Sequence, residues 1–351
     1  MEFLVTLLLI ITLLLCLGYV ALIASYCHAW VKMKPPVFSA ELLTTKVSVI
    51  IAARNEENSI ANCVNAVLQQ TYPSQYIEII IVDDASEDTT GNKIQELCKK
   101  HENIKSITLE AGNAAVGKKQ ALTLGIQQSN AELIVTTDAD CVMNKNWLKT
   151  IVAFYQQTKA KMIVAPVVFH NEKSVFEKMQ TLEFMSLIVS GGASLYYNKA
   201  IMCNGANLAY TRNVFYEVNG FKGADNKPSG DDVLLMYKIK KKYPDSIKFL
   251  KHEDAIVFTD AQPNLKGFID QRKRWASKGF KALNTETKKV SLLVYGFNFS
   301  LFAVMILSFC CKAVGIYGIG PVPLFCVLFG IKCLIDFLLL FLASSFFKKR
   351  K

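Results

Sequence analysis

The segment IEIIIVDDAS, residues 77–86, is a run rich in β-branched residues that ends in two adjacent aspartates. An apolar run without polar alternation is typical of a strand that is buried on both faces of a parallel sheet. Four more strand-like runs lie on either side of this segment, at 47–53, 104–109, 133–136 and 162–166. Helical patterns alternate with these runs, over 60–68, over 89–101 and from 145 onward. This alternation predicts an α/β fold with a mostly parallel sheet and right-handed crossovers.

Three of the predicted strands end in polar or acidic residues. The clusters are Arg54-Asn55-Glu56, Asp83-Asp84 and Asp138-Ala139-Asp140. Because ligands bind outside the carboxyl ends of parallel strands, we expect the clusters to line one site. Capping of the following helix is the alternative for each aspartate. The Asp-x-Asp pair also has the spacing to hold Mg²⁺ or Mn²⁺, with the remaining oxygens supplied by a diphosphate and by water.

Three further segments combine charge with a predicted helix. Residues 112–119, GNAAVGKK, resemble a phosphate-binding P-loop, but Lys119 stands where that motif has Ser or Thr, which argues against a P-loop ATPase. Lys118 is then either a phosphate ligand or a solvated residue at a helix start. Residues 229–232, SGDD, precede an apolar helix and supply either an N-cap or a general base. Residues 271–275, QRKRW, fit an amphipathic segment at a membrane interface.

Both ends of the chain are almost free of charge. Residues 3–24, 291–316 and 319–347 are each long enough to cross a bilayer as a helix. A cleaved signal peptide is the alternative for the first run, and buried core helices are the alternative for the other two. With three spans, Lys32, Lys34 and the terminal residues 348–351, KKRK, fall on one side of the membrane. The positive-inside rule makes that side cytosolic, together with the domain between the spans.

Composition narrows the possible partners. The 351 residues carry a formal charge of +11, which favours anionic lipid or phosphate-bearing substrates. No basic cluster is interleaved with aromatic residues in a nucleic-acid-binding module, so we expect no nucleic-acid partner. The ten cysteines have no C-x-x-C spacing, which argues against a zinc site or a disulfide framework. A dehydrogenase is disfavoured because no G-x-G-x-x-G follows a strand.

Four motifs, in their order along the chain, resemble the membrane-bound branch of the family 2 glycosyltransferases. They are Asp83-Asp84-Ala85-Ser86, Asp138-x-Asp140, Gly230-Asp231-Asp232 and Gln271-x-x-Arg274-Trp275. That branch includes cellulose, chitin and hyaluronan synthases and ceramide glucosyltransferase. The resemblance covers residues 46–280 and implies a GT-A fold that transfers a sugar, with inversion, from a nucleotide-diphosphate sugar. It also implies a Mg²⁺ or Mn²⁺ ion as cofactor. Residues 203–208, CNGANL, are similar to the acceptor-side segment of the family.

The resemblance implies a role for each matching residue. Asp232 matches the catalytic base, with Asp231 as the neighbouring candidate. Arg274 would steady the departing diphosphate, Trp275 would border the acceptor, and both are counted with the catalytic residues. The metal ligands would be Asp138 and Asp140. The residues expected to bind the nucleotide sugar are Ala53, Asn55, Glu56, Asp83, Asp84, Lys118, Asp138, Gln271 and Arg274. The residues expected to bind the acceptor are Asn204, Gly205, Asn207 and Trp275.

The motifs and the apolar runs together predict the organisation of the chain. We expect an anchor at 1–25, a linker at 26–45, a GT-A domain at 46–280, membrane helices at 291–316 and 319–347, and a basic cytosolic tail at 348–351. Processive synthases of this branch generally have more than three spans. We therefore expect transfer from a nucleotide sugar, with UDP-sugars as the first candidates, to a lipid or lipid-linked acceptor at a bacterial inner membrane.

Two alternatives to this function stay open. The first is a processive polysaccharide synthase that works as an oligomer or with a partner subunit. The second is an inactive, membrane-anchored scaffold that binds sugar nucleotides.

Overall fold

A computed structural model of the protein describes residues 2–38, 43–110, 117–223, 230–276, 283–310 and 321–348. The chain forms two compact units, one of Lys34–Ala282 and one of Met1–Met33 with Leu283–Lys351. Parts of four predicted features lie outside the described residues: residues 112–116 of the P-loop-like segment, Ser229, the end of the second apolar run with the turn after it (311–320), and the terminal residues 349–351.

The larger unit is built on a seven-stranded sheet with the strand order β3-β2-β1-β4-β8-β6-β9. Only β8 runs antiparallel to its neighbours β4 and β6, so the prediction of a mostly parallel α/β sheet is confirmed. A smaller sheet has the order β5-β10-β7. The strands are β1 Val47–Ala53, β2 Ile77–Asp83, β3 Ile104–Thr108, β4 Leu133–Asp138, β5 Val142–Met143, β6 Met162–Val164, β7 Val167–His170, β8 Leu208–Thr211, β9 Ile247–Phe249 and β10 Val257–Asp260.

Helices of the larger unit follow most of the strands, as the alternating pattern predicts. The α-helices in the described parts of the chain are α1 Glu2–Lys32, α2 Ile60–Leu68, α3 Thr90–Lys100, α4 Lys118–Gln128, α5 Trp147–Thr158, α6 Val175–Tyr196, α7 Arg212–Glu217, α8 Asp231–Lys242, α9 Leu265–Ala276, α10 Thr285–Cys310 and α11 Pro321–Ser344.

The core of the larger unit explains why the central strands read as continuous apolar runs. Ile79, Ile80 and Ile81 of β2 are all fully buried, because helices cover both faces of the sheet. Helix α4 lies very close to one face: a Cβ atom on its Gly125 would stand 2.6 Å from Cγ2 of Ile50. Any larger residue there would push α4 outward, and with it Lys118 at the helix start.

The smaller unit consists of α1, α10 and α11, which pack against one another. Among the residues that the structure describes, three segments are long and apolar enough to cross a membrane: Phe3–Lys32, Thr285–Leu307 and Val322–Ser344. Helix α1 thus continues beyond the apolar run at 3–24. Aromatic contacts join the helices, with ring centroids 5.0 Å apart for Tyr19 and Phe297.

The two charged residues of α11 neutralise each other. Nζ of Lys332 lies 2.6 Å from Oδ2 of Asp336, one helical turn away. The hydroxyl of Tyr19 on α1 donates a hydrogen bond of 2.7 Å to the other carboxylate oxygen of Asp336. Because an unpaired charge in an apolar membrane is costly, this pairing lets α11 keep both residues within a span.

Candidate active site

The carboxyl ends of three central strands meet at one edge of the sheet. In the parallel register Ala53 pairs with Asp83, and Ala52 pairs with Asp138. The helices that follow these strands begin later: their N-caps are Thr89 for α3 and Asn146 for α5. The aspartates of the two motifs therefore do not occupy the helix-capping positions. Their carboxylates are available for other contacts at the sheet edge.

Two loops at this edge are tied into a rigid rim. The backbone N–H of Asn55 donates to Oγ of Ser86 at 3.0 Å, and Oδ1 of Asn55 accepts from the N–H of Glu87 at 2.8 Å. Asn55 and Ala85 both have left-handed backbone conformations, with φ of 54° and 56°. Asparagine tolerates this conformation at low cost, whereas alanine does not, so the rim holds some local strain.

Both aspartates of the Asp83-Asp84 pair are buried within this rim. Oδ1 of Asp83 accepts a hydrogen bond of 3.0 Å from the N–H of Ser86, and Oδ1 of Asp84 accepts one of 2.7 Å from the N–H of Gly117. Burial raises the pKa of Asp84, against the lowering effect of the Gly117 hydrogen bond. Asp84 therefore links the end of β2 to the start of α4.

A glycine that sequence reasoning missed sets the position of Asp83. A Cβ atom on Gly91, in the first turn of α3, would stand 2.8 Å from Oδ2 of Asp83. Only glycine allows the helix to approach the carboxylate so closely. The pattern of helix α3 in the sequence contains no signal for this contact.

Lys118 and Asp138 form an ion pair at the centre of the edge. Lys118 is the first residue of α4, and its side chain remains 43% exposed, so the ammonium group is accessible to a ligand. Partial burial lowers the pKa of Lys118, but the carboxylates of Asp138, Asp231 and Asp232 outweigh that effect and raise it overall. The ammonium group of Lys118 thus interacts electrostatically with the carboxylates of both Asp138 and the Asp231–Asp232 pair.

Asp140 lies beside Asp138 in the turn after β4. Its Oδ2 accepts a hydrogen bond of 3.2 Å from Oγ1 of Thr259, and its Oδ1 is 3.4 Å from Sγ of Cys141. Burial, followed by the nearby charge of Asp138, raises the pKa of Asp140. Burial also raises the pKa of Glu56, and both aspartates contribute to that rise.

These oxygen donors suit a hard divalent cation. Crowded carboxylates repel one another, and a bound cation would relieve that repulsion. Within the described part of the chain, no group of three or more His, Cys, Asp or Glu residues is arranged to hold a metal by itself. Asp138 and Asp140 therefore fit a site in which a bound diphosphate or water completes the coordination.

A pair of aspartates at the start of α8 faces the same edge. The helix is capped by Gly230, with φ of 97°, and Asp231 and Asp232 form its first turn. Asp231 is 9% exposed, and burial together with the neighbouring Asp232 raises its pKa, while Lys118 opposes the rise. Asp232 is less buried. Its Oδ2 accepts from the N–H of Gly205 at 3.0 Å.

The segment expected to bind the acceptor divides into two parts. Asn204 and Gly205 are half-buried beside Asp232, and Oδ1 of Asn204 accepts from the N–H of Ala206 at 3.0 Å. Asn207 is fully buried: its amide donates to the carbonyls of Pro166 and Ala255, and its Oδ1 accepts from Nε1 of Trp147. Asn207 therefore faces the core, and its hydrogen bonds stabilise the segment rather than reach a ligand.

Helix α9 carries Gln271, Arg274 and Trp275, and it packs against α6. The Trp275 ring lies 5.8 Å from the Phe184 ring, whereas Arg274 is exposed. Oε1 of Gln271 is buried with no hydrogen-bond partner among the described residues. Of the residues for which contacts are described, neither Gln271 nor Trp275 contacts the carboxylates at the sheet edge. The structure therefore brings Lys118 and the expected donor residues of the strand ends together, whereas it holds Gln271 and Arg274, which were also expected to bind the donor, on helix α9.

Comparisons with known proteins agree with this geometry. The family model described as glycosyl transferase family 2 matches residues 48–218, which include both the Asp83-Asp84 pair and the Asp138-x-Asp140 motif. The solved mannosyltransferase PcManGT from Pyrobaculum calidifontis, in complex with GDP-Man and Mn²⁺, has the same fold. Its TM-score is 0.63 at 17% identity, over 98% of this chain and 100% of that one. The predicted GT-A fold is therefore confirmed.

Two curated bacterial relatives extend the match. The probable glycosyltransferase YdaM of Bacillus subtilis (strain 168) is 29% identical over 66% of this chain, and the chain spans 54% of that protein's length. The poly-beta-1,6-N-acetyl-D-glucosamine synthase of Staphylococcus epidermidis (strain RP62A) is 26% identical over 79% of this chain and 68% of its own length. Residues 48–218 thus match the family 2 glycosyltransferase domain, and along the chain this segment lies between helices apolar enough to span a membrane.

Proposed function

We propose that this protein transfers a sugar, with inversion, from a nucleotide-diphosphate sugar to a hydroxyl of a lipid or lipid-linked acceptor in the membrane. The observation that carries the proposal is that Lys118 interacts with two sets of aspartates. It forms an ion pair with Asp138, and the charges of Asp231 and Asp232 contribute to the rise of its pKa. A diphosphate binds to a cation and an acceptor hydroxyl needs a carboxylate base, and both kinds of group are present at this edge of the sheet.

The donor would lie across the rim and the centre of the edge. The proposed nucleoside pocket is bordered by the residues of the rim and by the end of β1: Ala53, Asn55, Glu56, Asp83 and Asp84. Lys118 would bind a diphosphate oxygen in place of its partner Asp138. Arg274, which is exposed on α9, would add a planar fork for the departing diphosphate. Gln271, one helical turn before it, is the remaining donor-side residue of that motif.

Asp138 and Asp140 would hold a Mg²⁺ or Mn²⁺ ion together with the diphosphate of the donor. The ion would supply positive charge as negative charge develops on the leaving group. Support comes from the oxygen-only donor set and from the pKa of Asp140, which burial raises first and the neighbouring charge of Asp138 raises further. The Mn²⁺ in the complex of the mannosyltransferase with the same fold is a further reason to propose it.

Asp232 would act as the general base. It would take the proton of the acceptor hydroxyl while the hydroxyl oxygen bonds to the anomeric carbon and the bond to the diphosphate breaks. One base and one displacement invert the anomeric configuration. Asp231 is less suited to this role because it is more buried, whereas Asp232 is half-buried and bonded to Gly205 of the acceptor-side segment.

The acceptor would approach along Asn204, Gly205 and Trp275. Helix α9 ends at Ala276, and the next apolar helix begins at Thr285, so Trp275 is joined by a short connection to a candidate membrane span. From the candidate spans and the positive-inside rule, we propose an inner-membrane protein whose catalytic domain is cytosolic.

A second candidate function is processive synthesis of a polysaccharide. It is favoured by the relative from Staphylococcus epidermidis, a poly-beta-1,6-N-acetyl-D-glucosamine synthase that matches 79% of this chain. The described residues contain three candidate spans. In this second candidate function, the channel for the polymer would be completed by further copies of the chain or by a partner subunit.

The test uses the full chain, purified in detergent, with UDP-glucose, UDP-galactose, UDP-N-acetylglucosamine and GDP-mannose, each with Mg²⁺ or Mn²⁺. A lipid extract of the expression host's membranes is the acceptor, and the Asp232→Asn variant is the control. Metal-dependent labelling of a lipid that the variant does not give would support the proposal. Labelled polymer would support the second candidate, and donor binding without turnover would refute both.

A further inference from the structure

Arg272 lies inside the Gln271-x-x-Arg274-Trp275 motif but is not one of its defining residues. Its guanidinium carbon is 4.2 Å from the centre of the Trp275 ring and 4.7 Å from the centre of the Phe268 ring. The two rings are one helical turn after and one turn before Arg272 on α9, so all three side chains share one face of the helix. Cation–π attraction favours this arrangement.

The guanidinium is also held from the neighbouring helix. Its Nη2 forms an ion pair with Oε2 of Glu183 on α6. Only 21% of the Arg272 side chain is exposed, against 46% of the Glu183 side chain, so the arginine end of the pair is partly shielded from water. The Nε and Nη1 atoms of Arg272 are buried and have no hydrogen-bond partner among the described residues. The guanidinium thus uses its faces for ring contacts and one edge for Glu183.

Other contacts fix the spacing between α6 and the segment that includes α9. Gln180 and Gln262 exchange two hydrogen bonds: Nε2 of Gln180 donates to the Gln262 carbonyl at 2.8 Å, and Oε1 accepts from the Gln262 N–H at 3.1 Å. The Phe176 and Phe268 rings meet edge to face at 5.5 Å. The Arg272–Glu183 pair is therefore one of several contacts that dock α9 on α6.

We propose that Arg272 is a positioning residue for Trp275, with Glu183 as its anchor. The guanidinium stacks on the indole from one direction, and Phe184 packs on it from α6. Together they would hold the ring in the orientation that meets the acceptor. This inference rests on the acceptor role of Trp275 in the proposed function. Arginine suits the task because its planar group stacks and pairs at once, whereas a lysine ammonium is compact and strongly hydrated.

The first readout follows the ring itself. The full chain is labelled with 5-fluorotryptophan and studied by ¹⁹F NMR in detergent; its three tryptophans give three resonances, and Trp275→Phe assigns one of them. We expect Arg272→Lys and Arg272→Gln to shift or broaden the Trp275 resonance and to leave those of Trp30 and Trp147 unchanged. Glu183→Gln should have a smaller effect in the same direction. Lys273→Gln removes the adjacent, exposed charge of the same helix and should change nothing.

The second readout is kinetic, with the membrane lipid extract titrated by mass as the acceptor. Arg272→Lys should raise the apparent acceptor KM about three- to tenfold, the effect of losing one partly desolvated cation–π contact, and leave the donor KM unchanged. The charge swap Glu183→Arg with Arg272→Glu restores an ion pair between α6 and α9 but no cation over the ring. We therefore expect the swap to retain the raised acceptor KM.

Three outcomes would overturn the proposal. The Trp275 resonance could be unchanged in Arg272→Lys, or it could change as much in Lys273→Gln as in Arg272→Lys. The charge swap could also restore the wild-type acceptor KM, which would mean that the ion pair only docks the helices. Failure of the proposed function looks different. The wild-type chain would then transfer no sugar to lipid, or Trp275→Ala would leave the acceptor KM unchanged. The NMR readout would still decide whether Arg272 orients the ring.

Discussion

Oδ2 of Asp232 accepts a hydrogen bond of 3.0 Å from the backbone N–H of Gly205, and this contact joins the start of α8 to the acceptor-side segment. The carbonyl of Gly205 in turn accepts a hydrogen bond of 2.8 Å from Oγ1 of Thr136 on β4. The proposed base is therefore oriented by the backbone and by a central strand. A base held in this way needs little reorganisation when the acceptor hydroxyl arrives.

Asp232→Asn should abolish transfer and preserve donor binding. Asparagine has the same shape and can still accept from the Gly205 N–H, but it cannot take a proton at neutral pH. We expect the transfer rate to fall about 10²- to 10⁴-fold, the usual contribution of a general base. Calorimetric titration with the UDP-sugar should give an affinity close to that of the wild type. Loss of donor affinity in a folded variant would mean that Asp232 contacts the donor instead.

Asp231→Asn should stabilise the metal-free protein near pH 7 and above. The folded-state pKa of Asp231 is raised, so the folded protein binds this proton at higher pH than the unfolded chain does. Stability therefore falls as pH rises from the ordinary aspartate range through the raised pKa, and removing the carboxylate avoids that loss. The melting temperature in detergent should exceed that of the wild type at pH 8, and the difference should shrink toward pH 4.

A stability gain that grew as the pH fell would contradict the assigned cause. Transfer activity provides the matched comparison with Asp232→Asn. If Asp231 is not the base, Asp231→Asn retains most of the transfer rate that Asp232→Asn loses.

The sheet and its acidic edge could be predicted because their signals are local. A buried parallel strand such as β2 must be apolar on both faces, and a strand that ends in Asp83 places that residue at the ligand-binding edge by register alone. The short antiparallel strand β8 carries only four residues and gives no such pattern.

Residues that support the site from a distance were not predictable. Thr259 donates to Asp140 across 119 positions, and Glu183 pairs with Arg272 across 89. Neither contact can be predicted from the spacing of residues in the sequence, because the partners are far apart along the chain. Asn207 shows the converse: a polar residue in a family motif was expected to bind the acceptor, but its three hydrogen bonds lie in the core.

Asp140→Ala should remove metal-dependent binding of the donor, because it deletes one of the two proposed protein ligands. Thr259→Val tests the supporting contact: its hydroxyl orients Oδ2 of Asp140 at 3.2 Å. Loss of such a partner typically weakens metal binding about 10- to 100-fold. The measurement is titration of Mn²⁺ in the presence of UDP, followed by electron paramagnetic resonance. Thr123→Val is the control, since its hydroxyl bonds only within α4, to the carbonyl of Lys119. An unchanged Mn²⁺ affinity in Asp140→Ala would exclude ligation.

Tyr19→Phe should loosen the packing of the three apolar helices. The hydroxyl of Tyr19 on α1 donates to Asp336 on α11 at 2.7 Å, and Nζ of Lys332 lies 5.4 Å from the centre of the Tyr19 ring. Removing the hydroxyl leaves Asp336 with Lys332 alone, and it removes the hydrogen bond between helices without creating a cavity in the aromatic contact with Phe297. We expect a loss of about 0.6 kcal/mol, the average for hydrogen bonds between membrane helices.

The matched control is Tyr26→Phe, which removes a hydroxyl from a buried tyrosine of the same helix, one for which no hydrogen bond is found among the described residues. Thermal unfolding in detergent should show a lower melting temperature for Tyr19→Phe and little change for Tyr26→Phe. Asp336→Asn separates hydrogen bonding from charge. It keeps an acceptor for Tyr19 but leaves Lys332 without its counter-charge, so it should destabilise the helices more than Tyr19→Phe does. If Tyr19→Phe, Tyr26→Phe and Asp336→Asn all had the same melting temperature, apolar packing alone would hold α1 against α11.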